Sequence, residues 1–206
     1  KLGLRQRPRD IPGKQAAAAV GQCELMYIYD KLFGDFHHTV AQLLLTGEDI
    51  RNGSRSRNVC NTLFRLLELG ALPVINENDA VSTDEIGVEN TIGENDTLSA
   101  IVAAAVHADL LVLLSDIDGL YDRDPHRDPD AKIIRTVENV DGHLYDFAGG
   151  SGSALGSGGM VTKLNAAVIA TEAGCEMVIA NGSKPELLYD IAEGRDVGTR
   201  FLSKKR

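Results

Sequence analysis

The sequence predicts an α/β protein in which a mainly parallel sheet lies between helices, a three-layer α-β-α sandwich. Two observations predict it. Segments of strand length alternate with segments of helical periodicity along the chain, the pattern from which βαβ crossovers are built. The strand-like segments at 110–114 and 176–180 are apolar at nearly every position rather than at every second one, as expected of strands covered on both faces.

A long helix is expected over about 13–33, where Lys14, Gln15 and an alanine run favour it. Val20, Leu25, Ile28 and Leu32 recur there at helical spacing, and Gly34 ends the segment. The apolar run 39–46 has strand length and meets the turn-prone Gly47-Glu48-Asp49. A second helix is expected over 56–69, stopping at Gly70, then a strand at 72–75 with Asn76, Glu77, Asn78 and Asp79 at its carboxyl end. Asn95 or Asp96 is expected to cap a helix running through Ala100, Val102 and Val106, because both side chains can accept from the open first-turn N–H groups. The strand at 110–114 ends in Ser115-Asp116. A charged segment at 122–130 with Pro125 and Pro129 reads as a mobile surface loop without EF-hand ligand order. A glycine-rich run and its helix then lead to the strand at 176–180, which ends in Asn181-Gly182-Ser183-Lys184.

The 206 residues are 43% hydrophobic, enough for one sizeable core, and one domain is expected. The net charge of −9 argues against a sequence-independent nucleic-acid binder, since nothing supplies broad phosphate neutralisation. Any anionic ligand must be held locally. Cys23, Cys60 and Cys175 are far apart and form no Cys-x-x-Cys pair, which fits buried free thiols in a reducing cytoplasm. No apolar run approaches the ~18 residues a membrane-spanning helix needs. The five histidines share no ligand spacing with one another or with the cysteines, so no protein metal site is expected. Arg51, Arg55 and Arg57 read as a solvated helix start.

The chemistry concentrates in the run Leu155-Gly156-Ser157-Gly158-Gly159-Met160-Val161-Thr162-Lys163, which feeds directly into a helical pattern. Glycines let backbone N–H groups converge on an anion, and the following helix points its positive end at the same place. Lys163 adds a full charge. No Gly-Lys-Ser/Thr closes the loop, which excludes a Walker A site, and a flexible Gly/Ser linker fits the same residues. In open α/β sheets ligands bind outside the carboxyl ends of the strands. Those ends carry the Asn76–Asp79 cluster, Ser115-Asp116 and the Asn181–Lys184 cluster. Ordinary turn chemistry accounts for each cluster singly; their joint placement beside a phosphate-type loop describes a pocket with both acceptors and cations.

These residues also carry a resemblance. The segments KQAAAAVGQ at 14–22, INENDAV at 75–81, GENDTLSA at 93–100, LSDIDGLY at 114–121 and GSGGMVTK at 156–163 occur in this order in the glutamate 5-kinases of the amino-acid kinase superfamily. The resemblance implies an amino-acid kinase, carbamate kinase-like fold. It implies ATP-dependent phosphorylation of the L-glutamate side-chain carboxylate to glutamyl 5-phosphate, the first step of proline biosynthesis, with Mg2+ arriving on ATP. By the same resemblance Asn76, Asp79, Glu94 and Asn95 would bind the amino acid. Asp96 would hold the catalytic lysines and Lys163 would neutralise the transferring phosphoryl group. Ser115 and Asp116 would face the nucleotide, Ser157, Gly158, Gly159, Met160, Val161, Thr162 and Lys163 would wrap its phosphates, and Lys184 would lie near the adenine. Glu94 stands where family members often have Asp.

The resemblance further implies a homo-oligomer with proline as feedback inhibitor, while the charge and the lack of a long apolar run lead to the expectation of a cytoplasmic protein with no nucleic-acid or membrane partner. Family members begin with a strand carrying Lys-x-Gly-Ser/Thr and a later strand ending in Ser-Gly-Ala, and neither motif occurs here. The expectation is therefore a kinase domain over 1–206 that lacks its N-terminal strands and has no RNA-modification-type C-terminal domain. Such a segment is expected to bind nucleotide weakly and turn over poorly by itself. The competing expectations are a catalytically impaired or non-catalytic amino-acid-sensing module of the same fold, and phosphorylation of acetylglutamate or a nucleoside monophosphate. A Rossmann dehydrogenase is disfavoured because no Gly-x-Gly-x-x-Gly follows a strand.

Overall fold

Asp10 starts the first helix, α1 (Ile11–Gly34): its carboxylate accepts from Gly13 N at 2.9 Å, and Pro12 lies in the first turn, where its missing N–H is not needed. The computed structural model describes residues 2–3, 6, 8–81, 95–125, 127–149 and 157–204. They fall into two compact units, Lys1–Asn95 and Asp96–Arg206.

In the first unit α1 is followed by β1 (Thr39–Leu45), α2 (Gly47–Arg51), α3 (Gly53–Glu68) and β2 (Ala71–Glu77). β1 and β2 pair in parallel from Thr39↔Ala71 to Leu45↔Glu77, so their carboxyl ends lie side by side. Asn78 N donates to Leu45 O at 2.8 Å and continues that pairing into the turn. The segment expected as a turn after the first strand is instead the short helix α2. Thr46 and Asp49 close a reciprocal capping box over its start, and this supplies acceptors that the helix end would otherwise lack. Asn52 caps α3, which buries Leu63. β2 runs two residues further than expected, so Asn76 and Glu77 belong to the strand itself.

The second unit contains β3 (Leu110–Ser115), β4 (Thr136–Val137), α5 (Gly142–Gly149), α6 (Ser157–Glu172), β5 (Glu176–Asn181), α7 (Leu187–Ala192) and β6 (Thr199–Phe201). α4 (Asn95–Ala105) leads into it. The helix begins at Asn95, so Asn95 and Asp96 occupy its first turn. The sheet order is β3-β5-β6-β4, with β3/β5 and β4/β6 parallel and β5/β6 antiparallel. β5 is its covered centre. Met177 and Ile179 pack with Ala100 and Ala103 of α4 and Leu164, Ala167 and Ala170 of α6, whereas Val178 and Ala180 face Ile191 and Leu187 of α7. Alternate side chains of one strand thus feed two helical layers.

Coverage of β3 is less complete than its continuous apolar run suggests. Leu114 is 47% exposed. It shares a face with Leu110 and Val112, and the layer built on α7 covers only those two. The described residues of the loop at 122–130 are half-buried to exposed, and Arg123 ties Asp122 to Asp128. Of the three cysteines expected to be buried, Cys175 is buried, Cys60 is half-buried and Cys23 is exposed on α1, where no apolar layer among the described residues covers it. A tight backbone approach locks β5 to β6: Gly198 has φ +67°, and a Cβ there would lie 2.1 Å from Ile179 O.

Candidate active site

The parallel pairing of β3 and β5 puts Ser115 opposite Asn181 at the carboxyl ends of both strands. Gly182 N donates to Ser115 O at 2.7 Å, drawing the two strand ends together. Around this junction the side chains form a polar network. The Ser115 hydroxyl donates to Asp116 Oδ1 at 3.1 Å. Asn181 Nδ2 donates to Asp118 Oδ1 at 2.9 Å, while Asn181 Oδ1 accepts from both the backbone N–H and the hydroxyl of Ser183. Lys184 Nζ stands 3.7 Å from Asp118 Oδ1 with both side chains exposed. The network therefore offers acceptors, hydroxyls and a solvent-facing ammonium at one sheet end.

The starts of α4 and α6 carry the second cluster. Lys163 Nζ lies 2.9 Å from Asp96 Oδ2, with the lysine side chain 15% and the aspartate 23% exposed. Partial burial strengthens the pair relative to a surface one, because less water screens it. The Thr162 hydroxyl lies 3.2 Å from the same Asp96 oxygen and 3.0 Å from Gly159 O. Its single proton serves one of these acceptors at a time. Asp96 thereby fixes the direction of the ammonium, whose remaining N–H donors are available to an anion at the amino end of α6.

In the first unit Asn76 lies near the end of β2, its Nδ2 donating to Gln22 Oε1 of α1 at 3.0 Å and its Oδ1 accepting from Glu77 N at 2.9 Å. Asp79 follows in the exposed turn after that strand. Of the expected site residues, Asp96, Thr162 and Lys163 come together, as do Ser115 and Asp116. Lys184 joins the Ser115–Asn181 strand ends through Asp118. Gly159, Met160 and Val161 are in the first turns of α6 and Asn95 is the first residue of α4. The backbones of Ser157 and Gly158 open α6. Glu94, Gly156 and the Ser157 side chain lie outside the described residues. Asp118 and Gln22 carry site contacts that the sequence reading left without a role. Asp118 had a signal, lying two residues past Asp116 on the same strand end.

Among the described residues no three or more His, Cys, Asp or Glu side chains are grouped to hold a metal ion. No helix among them is long and apolar enough to cross a membrane.

Residues 2–181 match the amino acid kinase family. Glutamate 5-kinase of Clostridium perfringens is 52% identical over 205 residues, covering 100% of this chain and 76% of the relative. Glutamate 5-kinase of Listeria monocytogenes is 48% identical over 206 residues, covering 100% of this chain and 74% of the relative. Among solved structures, isopentenyl phosphate kinase of T. acidophilum superposes with a TM-score of 0.56 at 19% identity, covering 88% of this chain and 66% of the other, a likeness of fold alone. With the polar strand ends and helix starts arranged on that α/β frame, and with relatives at this identity along its whole length, the chain belongs to the glutamate 5-kinases of the amino acid kinase family.

Proposed function

We infer that the chain transfers the terminal phosphoryl group of ATP to the side-chain carboxylate of L-glutamate, giving glutamyl 5-phosphate and ADP, the first step of proline biosynthesis. A carboxylate already holds the attacking electron pair, so no strong general base is required. The barrier is electrostatic: two anions must be brought together and the charge on the transferring group offset.

Lys163 is the group we assign to that task, and its pairing with Asp96 is the observation that carries the assignment. The aspartate orients the ammonium before the phosphoryl group arrives, so little reorganisation is needed at the moment of transfer. Thr162 and the amino end of α6 add a hydroxyl and backbone N–H donors beside it. Ser115, Asp116 and Lys184 are assigned to the nucleotide, and Asn76, Asp79, Glu94 and Asn95 to glutamate. Mg2+ is assigned to the triphosphate, where it would offset phosphate charge. We also expect a cytoplasmic protein and, from the family resemblance, a homo-oligomer inhibited by proline. The sensing-module alternative is not favoured by relatives that are kinases at this identity.

Trapping the acyl phosphate with hydroxylamine tests the reading in the protein carrying this chain. Hydroxamate should form with ATP and glutamate and not with N-acetylglutamate or a nucleoside monophosphate as acceptor. Glutamate binding without ADP release would overturn the catalytic reading.

A further inference from the structure

Because Asn76 Oδ1 accepts from the Glu77 backbone N–H, its Nδ2 is committed to the other side, where it meets Gln22 Oε1 at 3.0 Å. This fixes the Gln22 amide in turn. Rotating it by half a turn would set two N–H donors face to face, so its oxygen belongs to Asn76 and its Nε2 points elsewhere. That Nε2 is buried and has no hydrogen-bond partner among the described residues. Buried polar groups are nearly always satisfied, since an unmade hydrogen bond there is costly. An orphan donor touching a residue of the glutamate cluster therefore calls for an acceptor that comes with the ligand.

We propose that Gln22 and Asn76 form one hydrogen-bonded unit that receives a carboxylate oxygen of glutamate, with Gln22 of α1 orienting Asn76 and supplying a second amide donor. The inference rests on the assignment of Asn76 to the glutamate site. The sign of the vacancy selects the group: an ammonium has only donors and cannot satisfy Nε2, whereas a carboxylate has only acceptors. Helix α1 thus reaches the substrate across 54 positions of sequence.

Steady-state kinetics of Gln22→Glu, Gln22→Met and Asn76→Ala test it, with thermal midpoints measured alongside. Gln22→Glu keeps an acceptor for Asn76 and replaces the orphan donor by an anionic oxygen; Gln22→Met removes both functions at similar length. Both should raise KM for glutamate by about tenfold or more, the scale of one hydrogen bond to a charged group. KM for ATP should stay within about twofold, because the nucleotide does not share these donors. Gln22→Met combined with Asn76→Ala should raise the glutamate KM by less than the product of the two single effects, because the part of the Gln22 role that orients Asn76 is lost once Asn76 is gone. If Asn76→Ala raises the glutamate KM and neither Gln22 variant does, the inference fails while the Asn76 assignment stands. An unchanged glutamate KM in Asn76→Ala overturns both. A lowered thermal midpoint with both KM values unchanged assigns Gln22 a structural role only and overturns the inference.

Discussion

Lys163 Nζ is 2.9 Å from Asp96 Oδ2, an ion pair that ties the second turn of α6 to the first turn of α4. Replacing Lys163 by Met removes the charge and keeps much of the side-chain length. If the lysine stabilises the transferring phosphoryl group, kcat should fall by about 10²–10³, the usual loss on removing one preorganised stabiliser. Glutamate KM should change far less. A kcat within a few fold of the parent would remove Lys163 from the catalytic role.

Asp96→Asn should cost less than Lys163→Met, since the lysine remains and only its orientation loosens. The two substitutions should be strongly non-additive, because a positioning residue has nothing left to position once its partner is gone. Additive losses in a double-mutant cycle on kcat would mean that Asp96 acts separately, for instance through its contact with Thr162.

The pair of Lys184 with Asp118 is different in kind. At 3.7 Å and with both side chains exposed, it should contribute at most about 1 kcal/mol to stability. Lys184→Ala should therefore leave the denaturation midpoint nearly unchanged. Its proposed place beside the nucleotide predicts a rise of about fivefold in KM for ATP, typical of losing one solvent-exposed charge contact. An unchanged KM for ATP would take Lys184 out of the nucleotide site.

Much of this arrangement was legible from residue patterns. β5 and α6 were readable because continuous apolar runs and helical spacing reflect burial, and the Ser115 and Asn181 clusters because polar residues at parallel strand ends converge once the strands pair. α2 was hidden by composition: Gly47-Glu48-Asp49 looks like a turn, and only the Thr46/Asp49 box reveals a helix. Short elements such as α7 and β6 have too few residues to display a period. The exposure of Leu114 depends on how far one helical layer extends, which local hydrophobicity does not encode. Gln22 was the hardest, since its meaning arises only when α1 meets β2 and one amide N–H is left without an acceptor among the described residues.

Asp49 gives a pH dependence with a definite sign. The Thr46 hydroxyl, then the Thr46 backbone N–H and Arg55, hold its carboxyl below its ordinary value of 3.8. A depressed folded pKa contributes stability that is present well above the ordinary value and is lost as pH falls through it toward the folded one. Asp49→Asn should therefore be less stable than the parent at pH 7, by about 1 kcal/mol for a partly exposed capping group. The gap should begin to narrow as pH falls toward the ordinary value of 3.8 and close only below the depressed folded value, where both chains carry a neutral side chain. Urea denaturation at several pH values measures it; a gap that persists unchanged at low pH would assign the loss to the amide substitution itself.

Gly198 and Gly70 separate two costs of adding a methyl group. Both have positive φ, +67° and +73°, but a Cβ at Gly70 meets nothing within 4 Å, whereas at Gly198 it would lie 2.1 Å from Ile179 O. Gly70→Ala should lose only the conformational term, about 1–2 kcal/mol. Gly198→Ala adds a backbone collision where β5 pairs with β6, Ile179 opposite Thr199. Neither backbone can retreat without breaking that ladder, so the loss should exceed about 3 kcal/mol. Equal denaturation midpoints for the two variants would show that β6 can move away from β5, and the close approach at Gly198 would then not be what holds these two inner strands together.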